Sequence, residues 1–133
     1  RLLPGTLYIC PGSMHMRILP PGRIELDNSG RIAGYLPNID VTLESVAAFS
    51  GPNSICAILT GMGNDGARGA RAIKNAGGLV LAQDEATSVI FGMPSEAIKT
   101  GAVDHILSID DIYGAIEKRV LSLSRSMPAG VRG

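Results

Sequence analysis

Tryptophan is missing from the 133-residue chain, and with only two phenylalanines and three tyrosines its core has to be built from aliphatic side chains. Cysteine is scarce as well. Cys10 and Cys56 each sit inside an apolar run, the habit of buried thiols and not of a disulfide framework or a paired-cysteine metal site. The two histidines, His15 and His105, have no ligand-spaced partners, so no metal and no organic cofactor is expected. Charge of one sign is not in excess either. Twelve Lys and Arg balance twelve Asp and Glu, which leaves no cationic footprint for nucleic acid. No apolar run nears the roughly 18 residues of a membrane span, and no secretory leader is visible, so a cytoplasmic protein without membrane insertion is expected. What is present is a 45% hydrophobic share against 18% charged residues, enough for one core and incompatible with disorder. The chain opens at Arg1 directly ahead of a strand-like run. It reads as a cleaved product or the later part of a longer protein.

The first third reads as strands and turns. TLYIC (residues 6–10) is a short β-rich run closed by Pro11-Gly12. MRIL (16–19) and RIEL (23–26) flank Pro20-Pro21-Gly22 as a hairpin. DVTLESVAAF (40–49) places Val41, Leu43, Val46 and Phe49 near one helical stripe, with Asp40 as its expected cap. Strand–helix alternation follows. SICAILT (54–60) is a continuous apolar run suited to a strand buried on both faces. Residues 64–76 repeat Ala67, Ala70, Ile73 and Ala76 at helical spacing, opposite Arg68, Arg71 and Lys74, and Gly77-Gly78 stops them. Further strands are expected at 78–83 and 104–109, and helices at 94–99 and 110–121. Residues 1–123 form the domain, and 124–133 are expected to be a flexible tail. The fold class is α/β: a three-layer, incomplete doubly wound domain, its sheet mainly parallel with helices on both faces, plus a small antiparallel hairpin.

Chemistry in such sheets gathers where strands end, and LTGMGNDGARGA (59–70) runs from a buried strand through a glycine-rich turn into a helix. Two functions compete for this turn. GMGNDG satisfies the G-x-G-x-x-G pattern of a dinucleotide cradle, with Asp84 near the ribose-binding position. Against it, the Asp65 carboxylate would face a pyrophosphate, and the fingerprint usually opens the first βα unit. The other function is an orienting acid. Asp65 at a helix start stays ionised and can hold a histidine in one tautomer, while a glycine-flanked N–H such as that of Met62 can receive a developing oxyanion. The plainer alternative makes Asp65 a capping acid and Met62 a packing residue.

LTGMGNDGARG and AQDEATSVIFGMPSEAIKTGAVDHIL (82–107), with PGTLYICPGSMHM (4–16) and PNIDVTLESVA (37–47), resemble the catalytic domain of the CheB chemotaxis methylesterases. The matches are collinear to about Val120. The resemblance implies an α/β esterase with a Ser-His-Asp triad that hydrolyses γ-glutamyl methyl esters on chemoreceptors and deamidates receptor glutamines. It makes Asp65 the triad aspartate and gives the Met62 N–H to the oxyanion hole. It implies methylated chemoreceptor cytoplasmic helices and an upstream receiver domain as partners. The family's serine and histidine belong to a segment that would precede Arg1, so this chain is expected to be inactive alone. Ser13 and His15, two apart on one strand, are poorly placed to replace them in line with Asp65. Gln83-Asp84-Glu85, Ser88 and Phe91-Gly92-Met93-Pro94 are expected near the site. A non-catalytic receptor-binding or scaffolding domain of the same fold is the alternative.

Overall fold

Residues 1–127 of the chain are described by a computed structural model. Pro20-Pro21-Gly22 cannot continue a ladder, and the chain reverses there. Strand β1 (His15–Leu19) pairs antiparallel with β2 (Arg23–Asp27), setting Met16 opposite Leu26 and Ile18 opposite Ile24. Helix α1 (Ile39–Ser50) then packs against β1, where the Thr42 hydroxyl donates to the Met16 carbonyl and Ser45 Oγ accepts the Ile18 N–H.

Beyond a 3-10 turn, Gly51–Asn53, the chain alternates strand and helix: β3 (Ile55–Ile58), α2 (Ala67–Asn75), β4 (Leu79–Gln83), α3 (Met93–Lys99), β5 (His105–Leu107) and α4 (Ile109–Ser126). The strands form a parallel sheet in the order β3-β4-β5, with Cys56 beside Val80 and Ala82 beside Ile106. Successive right-handed crossovers in one direction put α2 and α3 on the same face. There Cys56, Ile58, Ile73, Val80 and Ala97 form the core with Ala70. Each of the larger aliphatics buried in it contributes about 2 kcal/mol of apolar transfer. Leu79 points the other way, into a cavity it shares with Ala115, Lys118 and Arg119 of α4. Helices therefore cover both faces of the sheet.

Three local expectations change. Residues 6–10 form no strand and pair with nothing in the sheet, and Leu7 and Ile9 are 86% and 82% exposed. Their composition suits a ladder, but the described residues offer no neighbouring edge to pair with. The cap of α1 is Asn38, whose Oδ1 accepts the Val41 N–H at 2.9 Å, and Asp40 lies inside the first turn. The last helix runs to Ser126, so residues 124–126 are helical. The remainder of the expected tail, 128–133, lies outside the described residues.

Candidate active-site edge

The glycine-rich turn begins where β3 stops. Gly61 N–H donates to the Ile90 carbonyl at 3.0 Å, and the Gly61 carbonyl accepts from Met93 at 2.8 Å and Gly92 at 3.2 Å. Thr60 ties the same two segments together, its Oγ1 donating to the Ile90 carbonyl and accepting the Ile90 N–H. The loop at 90–93 thus acts as a splint along residues 60–63. A Cβ on Gly92 would fall 2.7 Å from the Gly61 carbonyl oxygen, closer than real contacts allow, and 3.1 Å from the Gly63 nitrogen, which is tight. Gly63 adopts φ +98, a left-handed conformation that suits glycine, and a side chain there would meet the Tyr35 hydroxyl. That hydroxyl accepts the Asn64 N–H and donates to Asn64 Oδ1, both at 3.3 Å.

Met62 stands at the apex of the turn with 77% of its surface exposed, and among the described residues nothing accepts its N–H. Asp65, three residues on, is almost covered at 4% exposure. The sequence pattern suggests a carboxylate at the start of α2, and the structure gives it a different partner. The Ile39 N–H reaches both Asp65 oxygens, at 2.9 and 2.8 Å, and the Asp40 N–H reaches Oδ1 at 3.1 Å. Asp65 therefore sits on the N-terminus of α1, where it satisfies amides that have no partner within the helix. Oδ2 takes only a shared N–H, which leaves it acceptor capacity for one more donor.

The N-terminus of α2 is closed by the reverse arrangement. Asp40 Oδ1 accepts the N–H groups of Gly66 at 3.0 Å and Gly69 at 2.7 Å. Two buried carboxylates, each belonging to the first turn or approach of one helix, cap the other helix. The phosphate-cradle reading of GMGNDG is weakened at the start of α2, where the Asp40 carboxylate already occupies the Gly66 and Gly69 N–H groups.

His15 is fully buried and does not approach Asp65. Its Nδ1 accepts the Asn38 N–H at 3.1 Å, which puts the proton on Nε2, and Nε2 donates to the Gly30 carbonyl at 2.7 Å. Both ring nitrogens are used, and Ser13 is exposed, so the Ser13–His15–Asp65 set is not assembled. Asn38 also donates from Nδ2 to the Ile32 carbonyl, 3.0 Å away. Gln83, expected to shape a cleft, is an internal brace. It accepts the Thr60 N–H and donates to the Thr87 carbonyl, both at 2.8 Å. Asp84 accepts from Thr87, Ser88 donates to the Asp84 carbonyl, and Glu85 and His105 are exposed. Arg68 pairs with Glu44, Lys74 pairs with Asp104, and Arg71 is exposed. Pattern reading passed over Asn38, Tyr35 and the cross-helix role of Asp40. An Asn two residues ahead of an Asp at a helix start was the available signal for the first and last.

Among the described residues no cluster of three or more His, Cys, Asp and Glu side chains is disposed to hold a metal, and no helix is long and apolar enough to cross a membrane.

Residues 1–116 match the family described as CheB methylesterase. The chain is 45% identical over 115 residues to the protein-glutamate methylesterase FrzG of Myxococcus xanthus, covering 86% of this chain and 34% of that protein. It is 44% identical over 119 residues to a protein-glutamate methylesterase/protein-glutamine glutaminase of Pseudomonas aeruginosa, covering 87% and 34%. The solved CheB methylesterase catalytic domain of Thermotoga maritima superposes with a TM-score of 0.77 at 38% identity, over 86% of this chain and 61% of that one. The chain thus spans about a third of the length of these curated relatives. Matched over most of its length and sharing the α/β fold of that solved domain, the chain belongs to the CheB methylesterase family.

Proposed function

We propose that this chain is the acid-bearing portion of a protein-glutamate methylesterase and glutaminase that acts on chemoreceptor helices by Ser-His-Asp acyl transfer. Asp65 is its orienting acid, and the Met62 N–H is one donor of its oxyanion hole. The serine and the histidine come from polypeptide outside these residues. In the reaction the serine hydroxyl attacks the γ-carbonyl, and the histidine takes its proton and passes it to the departing methoxy oxygen or amide nitrogen, which leaves as methanol or ammonia. Water then hydrolyses the acyl-serine to the free carboxylate and serine. Asp65 holds the imidazole in the tautomer that accepts that proton and stabilises the imidazolium that forms. The Met62 N–H offers a fixed dipole where negative charge develops on the carbonyl oxygen.

The observation that carries this reading is the pairing on one turn of a buried carboxylate with spare acceptor capacity and the N–H of an exposed residue, Met62, that meets no acceptor among the described residues. The test is Asp65→Asn in the complete polypeptide, assayed by methanol release from methylated receptor. In serine hydrolases the corresponding tautomer error costs about 10⁴-fold in turnover, and a loss of that order is expected with the fold retained. Turnover close to wild type would remove Asp65 from the reaction. A complete polypeptide that binds receptor helices and releases no methanol would favour the scaffolding alternative. The 133-residue chain assayed alone is expected to release none.

A further inference from the structure

We propose that Asp40 is the positioning residue of Asp65, acting through the crossed helix caps; this rests on the triad role proposed for Asp65. Asp65 takes its orientation from two amides at the start of α1, Ile39 and Asp40. Asp65 is itself part of the approach to α2, so its place depends on how the start of α2 is fixed relative to α1. Asp40 supplies that fixing. Its side chain crosses to α2 and gathers the Gly66 and Gly69 N–H groups on a single oxygen, while its own N–H holds Asp65. One residue therefore binds Asp65 from one side and the helix that follows Asp65 from the other.

The loop of bonds is closed and buried, so neither carboxylate can move without orphaning an amide of the opposite helix. Its far end is fixed to the hairpin, because His15 holds the Asn38 N–H and Asn38 caps α1. An acid that orients an imidazole must be right to a fraction of an ångström, and a displacement near 1 Å costs on the order of 10²-fold in rate. The geometry requires an oxygen at Asp40 Oδ1 and does not require its charge. Asparagine keeps that oxygen, and alanine removes it.

The experiment compares Asp40→Ala, Asp40→Asn and Asp65→Asn in the complete polypeptide, with kcat and KM for methanol release and thermal unfolding read on each. Asp40→Ala is expected to lower kcat by about 10- to 100-fold with KM within about twofold of wild type. Asp40→Asn is expected to restore kcat to within about threefold. A folded Asp40→Ala protein with unchanged kcat overturns the proposal, as does an Asp40→Asn protein that falls as far as Asp40→Ala. Should Asp40→Ala not fold, Asp40→Glu asks the same question by setting the carboxylate one methylene further out. A kcat lowered at least fivefold supports the proposal, and an unchanged one overturns it. If Asp65→Asn is inactive and Asp40→Ala is not impaired, only the positioning role fails. If Asp65→Asn is fully active, the triad reading fails with it.

Discussion

Gly92 shows most directly how one atom can decide the shape of the glycine-rich turn. Its backbone lies against Gly61, Met62 and Gly63 so closely that a methyl group would stand 2.7 Å from a carbonyl oxygen and 3.2 Å from the Met62 Cα. Gly92→Ala must push the 61–63 turn outward, and with it the Met62 N–H. In the complete polypeptide the substitution is expected to lower methanol release by about 10- to 100-fold, while the sheet underneath keeps its pairing. Undiminished turnover would show that the turn does not set the reaction. Neither thiol is disposed for covalent chemistry. Burial, helped by the neighbouring Asp40 carboxylate, pushes Cys56 up to about 12, so its thiolate is negligible at neutral pH. Burial also raises Cys10, whose Sγ donates to the Met14 carbonyl. The buried setting of Cys56 was legible from its apolar run. The tight contact at Gly92 was not, because it is made to residues thirty positions away.

Elements in this fold are joined by side chains that reach from one to the next, and Asp104 is the clearest case away from the glycine-rich turn. It precedes β5, accepts from Lys74 of α2, and takes the Val80 N–H of β4 on its second oxygen at 2.9 Å. Partial burial pushes its carboxyl up, but Lys74, the Val80 N–H and the nearby His105 outweigh that and hold it below the ordinary carboxylate value. A carboxyl depressed in the folded state contributes stability that is complete above its unfolded value of about 3.9 and fades as pH falls through its folded value. Thermal unfolding of wild type and Asp104→Asn should therefore differ at pH 7, with the gap closing as the pH is taken below about 4. A gap that stays constant to pH 2 would show that the charge of Asp104 plays no part. Apart from residues 6–10, the helix and strand centres agree with the hydrophobic patterns that predict them, because those patterns report burial along one element. The cap of α1 does not, since Asn38 and Asp40 are both good capping residues and only the packing of α2 draws Asp40 away.

For the whole molecule, the parallel sheet has two ends, and β3 is one of them, with no strand beside it among the described residues. Near-equal numbers of opposite charges do little to keep copies apart, and Leu3, Leu7 and Ile9 are turned to solvent with no ladder to join. An exposed strand edge and outward apolar side chains favour pairing between chains. The purified 133-residue chain is expected to associate increasingly with concentration in sedimentation velocity, and a Leu7→Lys, Ile9→Lys double variant should shift it toward monomer. A wild-type chain that stays monomeric at all concentrations would show that these surfaces are not adhesive.

The apolar runs at 54–60 and 78–83, alternating with helical patterns, announced a parallel core, and the collinear motifs around Asp65 announced the family, because both signals are carried by neighbours in the chain. Local chemistry also singled out Asp65 and Met62 as the candidates whose roles are proposed above. What local order could not fix was which amides hold Asp65, that Asp40 serves α2 instead of its own helix, and that His15 spends both nitrogens on the backbone. Hydrogen bonds between residues fifteen or more positions apart exist only once packing has brought their segments together, and no period in a sequence reports the distance between them.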